Sequence, residues 1–213
     1  MTDIKWLLFS LCLSLSTMAS AQDSYVPMQD VESFRQQLDK MANAVQTIES
    51  DFIQEKHLSV LSNEIISKGS FCFRKENNIR WEYTGPYQYL IIISGEKIFL
   101  KDESGQQQYD MESNKMFQEM NRFISGCIQG DILKDEADYR TEYLENEQEY
   151  FVILEPNSRA LHDMLNEVQI AFDRDDLTVN RITMLEPGGD YTRIDFVNKV
   201  LNTDIPLEKF SFR

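Results

Sequence analysis

The sequence is short of the residues that build catalytic and metal centres. It contains two histidines, three cysteines and eight glycines, and its 21 lysines and arginines face 36 acidic residues, for a formal charge of −15. His57 and His162 belong to different predicted elements. Neither stands at metal-ligand spacing from a cysteine, another histidine or a carboxylate. No G-x-G-x-x-G, P-loop or G-x-S-x-G elbow occurs. No catalytic constellation, metal or cofactor is therefore expected, and the chain reads as a binding protein rather than an enzyme. The shortage of cations also argues against nucleic acid and anionic lipid surfaces, whose phosphates the protein would repel. Repeats, low-complexity tracts and a domain linker are missing too, so one domain is expected.

Long apolar runs are absent but for one. Lys5 precedes an apolar stretch from Trp6 to Leu15, and Ala19-Ser20-Ala21 leads to Gln22. A basic start, a short apolar core and an A-x-A ending make a secretory signal peptide. The stretch is too short for the roughly 20 residues of a membrane span. Residues 1–21 are thus expected to be removed, leaving 22–213 as a single domain in the periplasm. Cys12 lies inside the leader and no cysteine stands directly after the expected cut, so no lipid anchor is expected on the N-terminus of the mature chain. Cys72 and Cys127 remain. An oxidising compartment permits a bridge between them, but two buried thiols are the favoured reading.

What is present is mostly strand. One helix opens the mature chain: Val31, Phe34, Leu38, Met41, Val45 and Ile48 recur at steps of three and four behind Asp30, a candidate N-cap. Extended segments are predicted at 50–60, 64–74, 79–83, 87–93 and 97–100. In them Phe71 and Phe73 alternate with Cys72 and Arg74, and Ile79, Trp81 and Tyr83 alternate with Arg80 and Glu82. Ser94-Gly95 predicts a hairpin turn. Helical spacing returns at Met116, Met120, Phe123 and Cys127. Further strands are predicted at 139–146, 149–155, 166–173, 178–186, 190–197 and 207–213, with a short helix near Ser158 to Met164. Asp173, Asp175 and Asp176 lack the ligand pattern of a calcium loop and read as a solvated turn. Strands at hairpin spacing with two amphipathic helices describe an antiparallel barrel or a strongly curved sheet.

Such a sheet offers the helices a concave apolar face. Phe71, Phe73, Ile79, Trp81 and Tyr83 would line it from the strands, and Met116, Met120 and Phe123 from the helix. Methionine is flexible and polarizable, so these residues could repack around a variable apolar guest. The same pattern also makes an ordinary core, and both readings stand on the residues alone.

A series of short motifs runs along this frame. It comprises Phe52-x-Gln54, Gly69-Ser70-Phe71-Cys72-Phe73-Arg74-Lys75, Ile79-Arg80-Trp81-x-Tyr83 with Pro86, and Ile92-x-Ser94-Gly95-x-Lys97-x-Phe99. Leu154-x-Pro156, Asp190-Tyr191-Thr192 and Phe210-Ser211-Phe212 follow. In that order, behind a leader, the series resembles the LolA-type outer-membrane lipoprotein carriers. The resemblance implies a mainly β fold, an unclosed antiparallel β-barrel of about ten to eleven strands whose mouth is covered by short helices over an apolar cavity. It implies a monomeric periplasmic carrier that takes acylated lipoproteins from an ATP-driven inner-membrane ABC exporter and hands them to an outer-membrane acceptor, using no nucleotide itself. A related carrier or sensor for another envelope lipid, or for a pathway-specific acylated cargo, is the alternative. In the family an Arg-Pro pair latches the lid, and it falls on Lys75-Glu76 here. Lysine lacks the planar fork of arginine. Lys75 is the expected latch, with Arg74 a substitute only if a bulge turned it inward.

Overall fold

Asp30 starts the first helix: its carboxylate accepts from the Ser33 backbone N–H at 2.9 Å and caps α1 (Val31–Ala44). The computed structural model describes residues 24–113, 118, 121–122, 124–127, 131–134 and 137–212. The expected leader and the candidate lining residues Met116, Met120 and Phe123 lie outside the described residues. Helix α1 is shorter than its apolar stripe suggested. Val45 already has an extended backbone, ψ 123°, and Ile48 belongs to the next strand. The difference has a geometric cause: a step of three across a helix–strand junction lands on the same core as a step along one helix.

The strands, in chain order, are β1 (Val26–Pro27), β2 (Thr47–His57), β3 (Ile65–Arg74), β4 (Asn78–Gly85), β5 (Tyr89–Ser94), β6 (Lys97–Asp102), β7 (Gly105–Asp110), β8 (Tyr139–Glu145), β9 (Glu149–Pro156), β10 (Glu167–Asp173), β11 (Val179–Leu185) and β12 (Tyr191–Leu201). They form one 12-stranded sheet in the order β1-β8-β9-β10-β11-β12-β2-β3-β4-β5-β6-β7, antiparallel throughout. The β12–β2 pairing joins the two halves of the chain. The end strands β1 and β7 do not pair with each other, so the barrel stays unclosed. Strands β1 and β7 escaped the sequence reading. The first has two residues, and Gly105–Asp110 is nearly all exposed and polar, which leaves no alternation to read.

The predicted last strand, 207–213, is a correction. After Pro206 the chain makes a 3-10 turn over Leu207–Phe210 instead. The Phe210 and Phe212 spacing that resembled a strand serves a different contact: with Ile205, both pack on the outer face of the sheet against Cys72, Ile92, Leu90 and Phe99. The expected short helix does form, over Arg159–His162, with the Ser158 hydroxyl capping it at 3.3 Å.

The inner face carries two apolar clusters. One packs Phe34 and Leu38 of α1 on Val152, Leu154, Val168, Ile170, Phe172 and Ile182, with Cys127, Ile132 and Leu133. The other gathers Val45, Ile48, Phe52, Phe71, Phe73, Ile79, Trp81, Ile93, Ile98 and Ile194. Met41, Met184 and Phe196 touch both.

Candidate binding cavity

Cross-strand register builds the inner wall in rows. Ser50, Phe71, Trp81 and Ile91 stand side by side on β2 to β5, and Phe52, Gly69, Tyr83 and Tyr89 form the row beside them. Gly69 matters because it has no side chain. A Cβ there would sit 2.0 Å from the Glu82 carbonyl oxygen and 2.6 Å from the Phe52 ring. Without it, Phe52 folds across β3 to meet Trp81 and Tyr83, at ring-centroid distances of 4.9 and 5.1 Å. Phe71, Trp81 and Phe196 extend the group with edge-on contacts of 5.2 to 5.9 Å.

Between these aromatics and the far half of the sheet lies a cavity of about 340 Å³. Of the eight candidate lining residues, Phe71, Trp81 and Tyr83 bound it. Phe73 and Ile79 point to the same side but are packed in the surrounding cluster, 2% and 0% exposed. Met41 of α1 closes the cavity from above, with Ile124 and Cys127 from the helical residues 124–127. Ile182, Met184 and Ile194 continue the lining beyond Phe196. Their alternation is visible in the sequence, but only the β12–β2 pairing brings them to the same cavity as Phe71 and Trp81.

Few polar groups reach this space. The Tyr83 hydroxyl donates to Gln54 Oε1 at 2.8 Å, and burial raises its pKa. Trp81 Nε1 is buried beside it without a hydrogen bond of ordinary geometry. Gln54, Tyr83 and Ile91 are shared with a more open groove of about 590 Å³, which runs past Ile65, Tyr87 and Tyr89 to the surface. The other polar residues of the lining are Ser50, Thr178 and Lys199. The arrangement can desolvate an apolar chain, at about 0.8 kcal/mol per buried CH₂.

The two thiols are free and sit apart, Cys72 in the outer cluster and Cys127 in an inner one. Burial raises both pKa values, that of Cys127 strongly, and nearby Lys209 opposes the rise at Cys72. The acidic turn is a turn: Asp173 Oδ1 accepts from the Asp175 and Asp176 backbone at 2.8 and 3.4 Å. Among the described residues no group of three or more His, Cys, Asp or Glu could hold a metal ion, and no helix is long and apolar enough to cross a membrane.

The family model described as outer membrane lipoprotein carrier protein LolA matches residues 43–213. The chain belongs to the LolA family. Its relatives include the outer-membrane lipoprotein carrier protein of Pseudomonas paraeruginosa, 23% identical over 177 residues that cover 83% of this chain and 82% of that one. Another is the carrier of the same name from Halorhodospira halophila, 23% identical over 207 residues, or 97% and 88% of the two chains. Among solved structures, the MucA/MucB complex of Pseudomonas aeruginosa gives a TM-score of 0.54 at 10% identity, covering 85% of this chain and 60% of that chain. An uncharacterized conserved protein from Thermus thermophilus gives 0.51 at 10%, covering 84% and 93%. These structural likenesses concern the fold.

Lys75 and Arg74, the expected latch and its possible substitute, go to opposite faces, as alternation along the strand requires. Lys75, just past β3, sends its ammonium to the Ala42 and Asn43 carbonyls at 3.1 and 3.0 Å, in the last turn of α1. Arg74 turns outward, where its guanidinium donates to the Ile205 carbonyl and ties down the segment that follows β12.

Proposed function

We propose that residues 22–213 form a periplasmic LolA-family carrier domain, released from the leader 1–21, that shields the acyl chains of lipoproteins between the inner and outer membranes. The observation that carries this reading is the apolar cavity under α1, walled by Phe71, Trp81, Phe196 and Ile182 and continuous with an open groove. The partners would be an inner-membrane lipoprotein-releasing ABC exporter, which supplies the energy, and an outer-membrane acceptor. No bond is made or broken, so the protein is a chaperone and not an enzyme.

In this reading α1 and the helical residues 124–127 form the cover, and Lys75 is its latch. Without cargo, Met41 and Ile124 close the apolar wall. Cargo binds the open state better and shifts the population toward it. Met116, Met120 and Phe123 would join the acyl-chain site when the cover opens, beside Phe71, Phe73, Ile79, Trp81 and Tyr83.

The test uses membrane vesicles that hold a triacylated lipoprotein and an active exporter. With ATP and the purified protein, cargo should leave the vesicles in a soluble one-to-one complex. Trp81→Asp, which sets a charge in the apolar wall, should give none while still being secreted. No soluble cargo with the wild-type protein, under conditions where another carrier extracts it, removes the reading.

A further inference from the structure

One wall of the cavity carries a cation, and a backbone irregularity puts it there. Opposite Ser50, β12 has one residue more than β2, because Val197 pairs with Asp51 and Val200 with Glu49. Asn198 takes up the extra residue with a left-handed backbone, φ 56°, and its side-chain amide donates outward to the Asp51 carboxylate at 2.9 Å. The inward series Ile194, Phe196 would otherwise continue at Asn198. After the bulge it continues at Lys199 and Leu201, which line the cavity and its neighbouring cluster. Bulges commonly re-aim a side chain in this way beside a binding site.

Lys199 Nζ donates to Thr178 Oγ1 and Asn180 Oδ1, both at 2.5 Å. An ammonium has three donors, and the third has no partner among the described residues. Asp176 and Asp173 stand behind the two acceptors and do not line the cavity. Asp176 Oδ1 already accepts from the Thr178 hydroxyl and backbone N–H at 2.5 and 2.8 Å. Asp173 accepts from the Asn180 amide at 3.3 Å as well as from its own turn. Burial pulls the Lys199 pKa down against the pull of these two carboxylates, so the cation is incompletely compensated where it sits. The cavity volume of about 340 Å³ is at the small end of the roughly 300–1,000 Å³ of ligand pockets, and with the cover closed it suits one chain better than several.

We propose that the cavity also takes a single-chain anionic amphiphile, a long-chain carboxylate whose head group accepts from Lys199 while its chain runs toward Gln54 and Tyr83. From Ser50, opposite the bulge, to Gln54 is about 14 Å along β2. The proposal rests on the reading of the cavity as an acyl-chain slot, and adds the head group it prefers.

The experiment is a fluorescence titration of the purified protein with cis-parinaric acid and with its methyl ester, at pH 8. The acid should bind about tenfold more tightly, the size of one charge-assisted hydrogen bond, and Lys199→Met should bind the two alike. Equal affinity of acid and ester for the wild type overturns the proposal and leaves the acyl-chain slot intact. A preference for the acid that persists in folded Lys199→Met assigns the head group elsewhere and overturns it too. Binding of neither probe removes the acyl-chain slot and this proposal with it. The wild-type comparison decides the matter even if the variant fails to fold.

Discussion

The Lys75 ammonium lies 3.1 Å from the Ala42 carbonyl and 3.0 Å from that of Asn43, joining the end of β3 to the end of α1. The last turn of α1 contains no basic residue of its own, so a neighbouring strand supplies the cation that a helix C-terminus favours. This contact ties the sheet to the helix over the cavity.

Lys75→Met should therefore loosen α1 more than it harms the sheet. The expected cost is about 1 kcal/mol, typical of a partly exposed hydrogen bond to a charged group. Backbone hydrogen exchange at residues 41–45 should speed up, while that of Phe71 and Ile93 stays slow. Unchanged exchange at 41–45 would show that Lys75 holds nothing.

Gly69→Ala tests the row of residues that shapes the wall. The added carbon would press on the Glu82 backbone at 2.0 Å, and backbone cannot swing away as a flexible side chain does. A loss of about 2–3 kcal/mol is expected from overpacking, read as a lower urea midpoint. A change below about 0.5 kcal/mol, the range of ordinary surface substitutions, would mean that the strands part there easily.

Tyr83→Phe removes the hydroxyl that reaches Gln54 at the boundary between cavity and groove. If this bond gates entry, the association rate of an apolar fluorescent probe should rise severalfold, with a smaller change in affinity. Stopped-flow mixing would measure both. An unchanged rate places the entry elsewhere.

Lys199 gives a pH dependence whose sign is opposite to that of a well-paired lysine. Burial lowers its folded pKa below the ordinary value of 10.5. Between the two values the unfolded chain binds more protons than the native one, so stability attributable to Lys199 rises with pH. Thermal melts of wild type and Lys199→Met in the alkaline range up to about pH 10.4 should show the wild type gaining on the variant. A gap that is flat or moves the other way would contradict the burial of the ammonium.

The two thiols should differ in reactivity. Cys127 is 1% exposed, and its ionisation is suppressed by burial. Cys72 lies under the segment that follows β12, with Lys209 favouring its thiolate. An aromatic disulfide reagent should therefore modify Cys72 first and Cys127 at a rate set by opening of the fold. Faster labelling of Cys127 would mean that the helical residues 124–127 open readily.

The sequence by itself determined the local grammar of this protein. Alternation put Phe71, Phe73, Ile79, Trp81 and Tyr83 on one face and Cys72, Arg74 and Arg80 on the other, because a strand has no choice of period. Asp30 announced its helix because a capping side chain works within three residues. The scarcity of histidine and cation set the expectation of a binding protein before any contact was known. Tertiary structure alone decided what depends on distant residues meeting. The β12–β2 pairing set Phe196 and Ile194 around the same cavity as Phe71, across more than 120 positions of chain. The segment predicted as a strand at 207–213 became an outer cover over 207–212, where the outer face of Cys72 and Ile92 is apolar. Lys75 found the end of α1, and the bulge at Asn198 turned Lys199 inward, through geometry that no period in the sequence records.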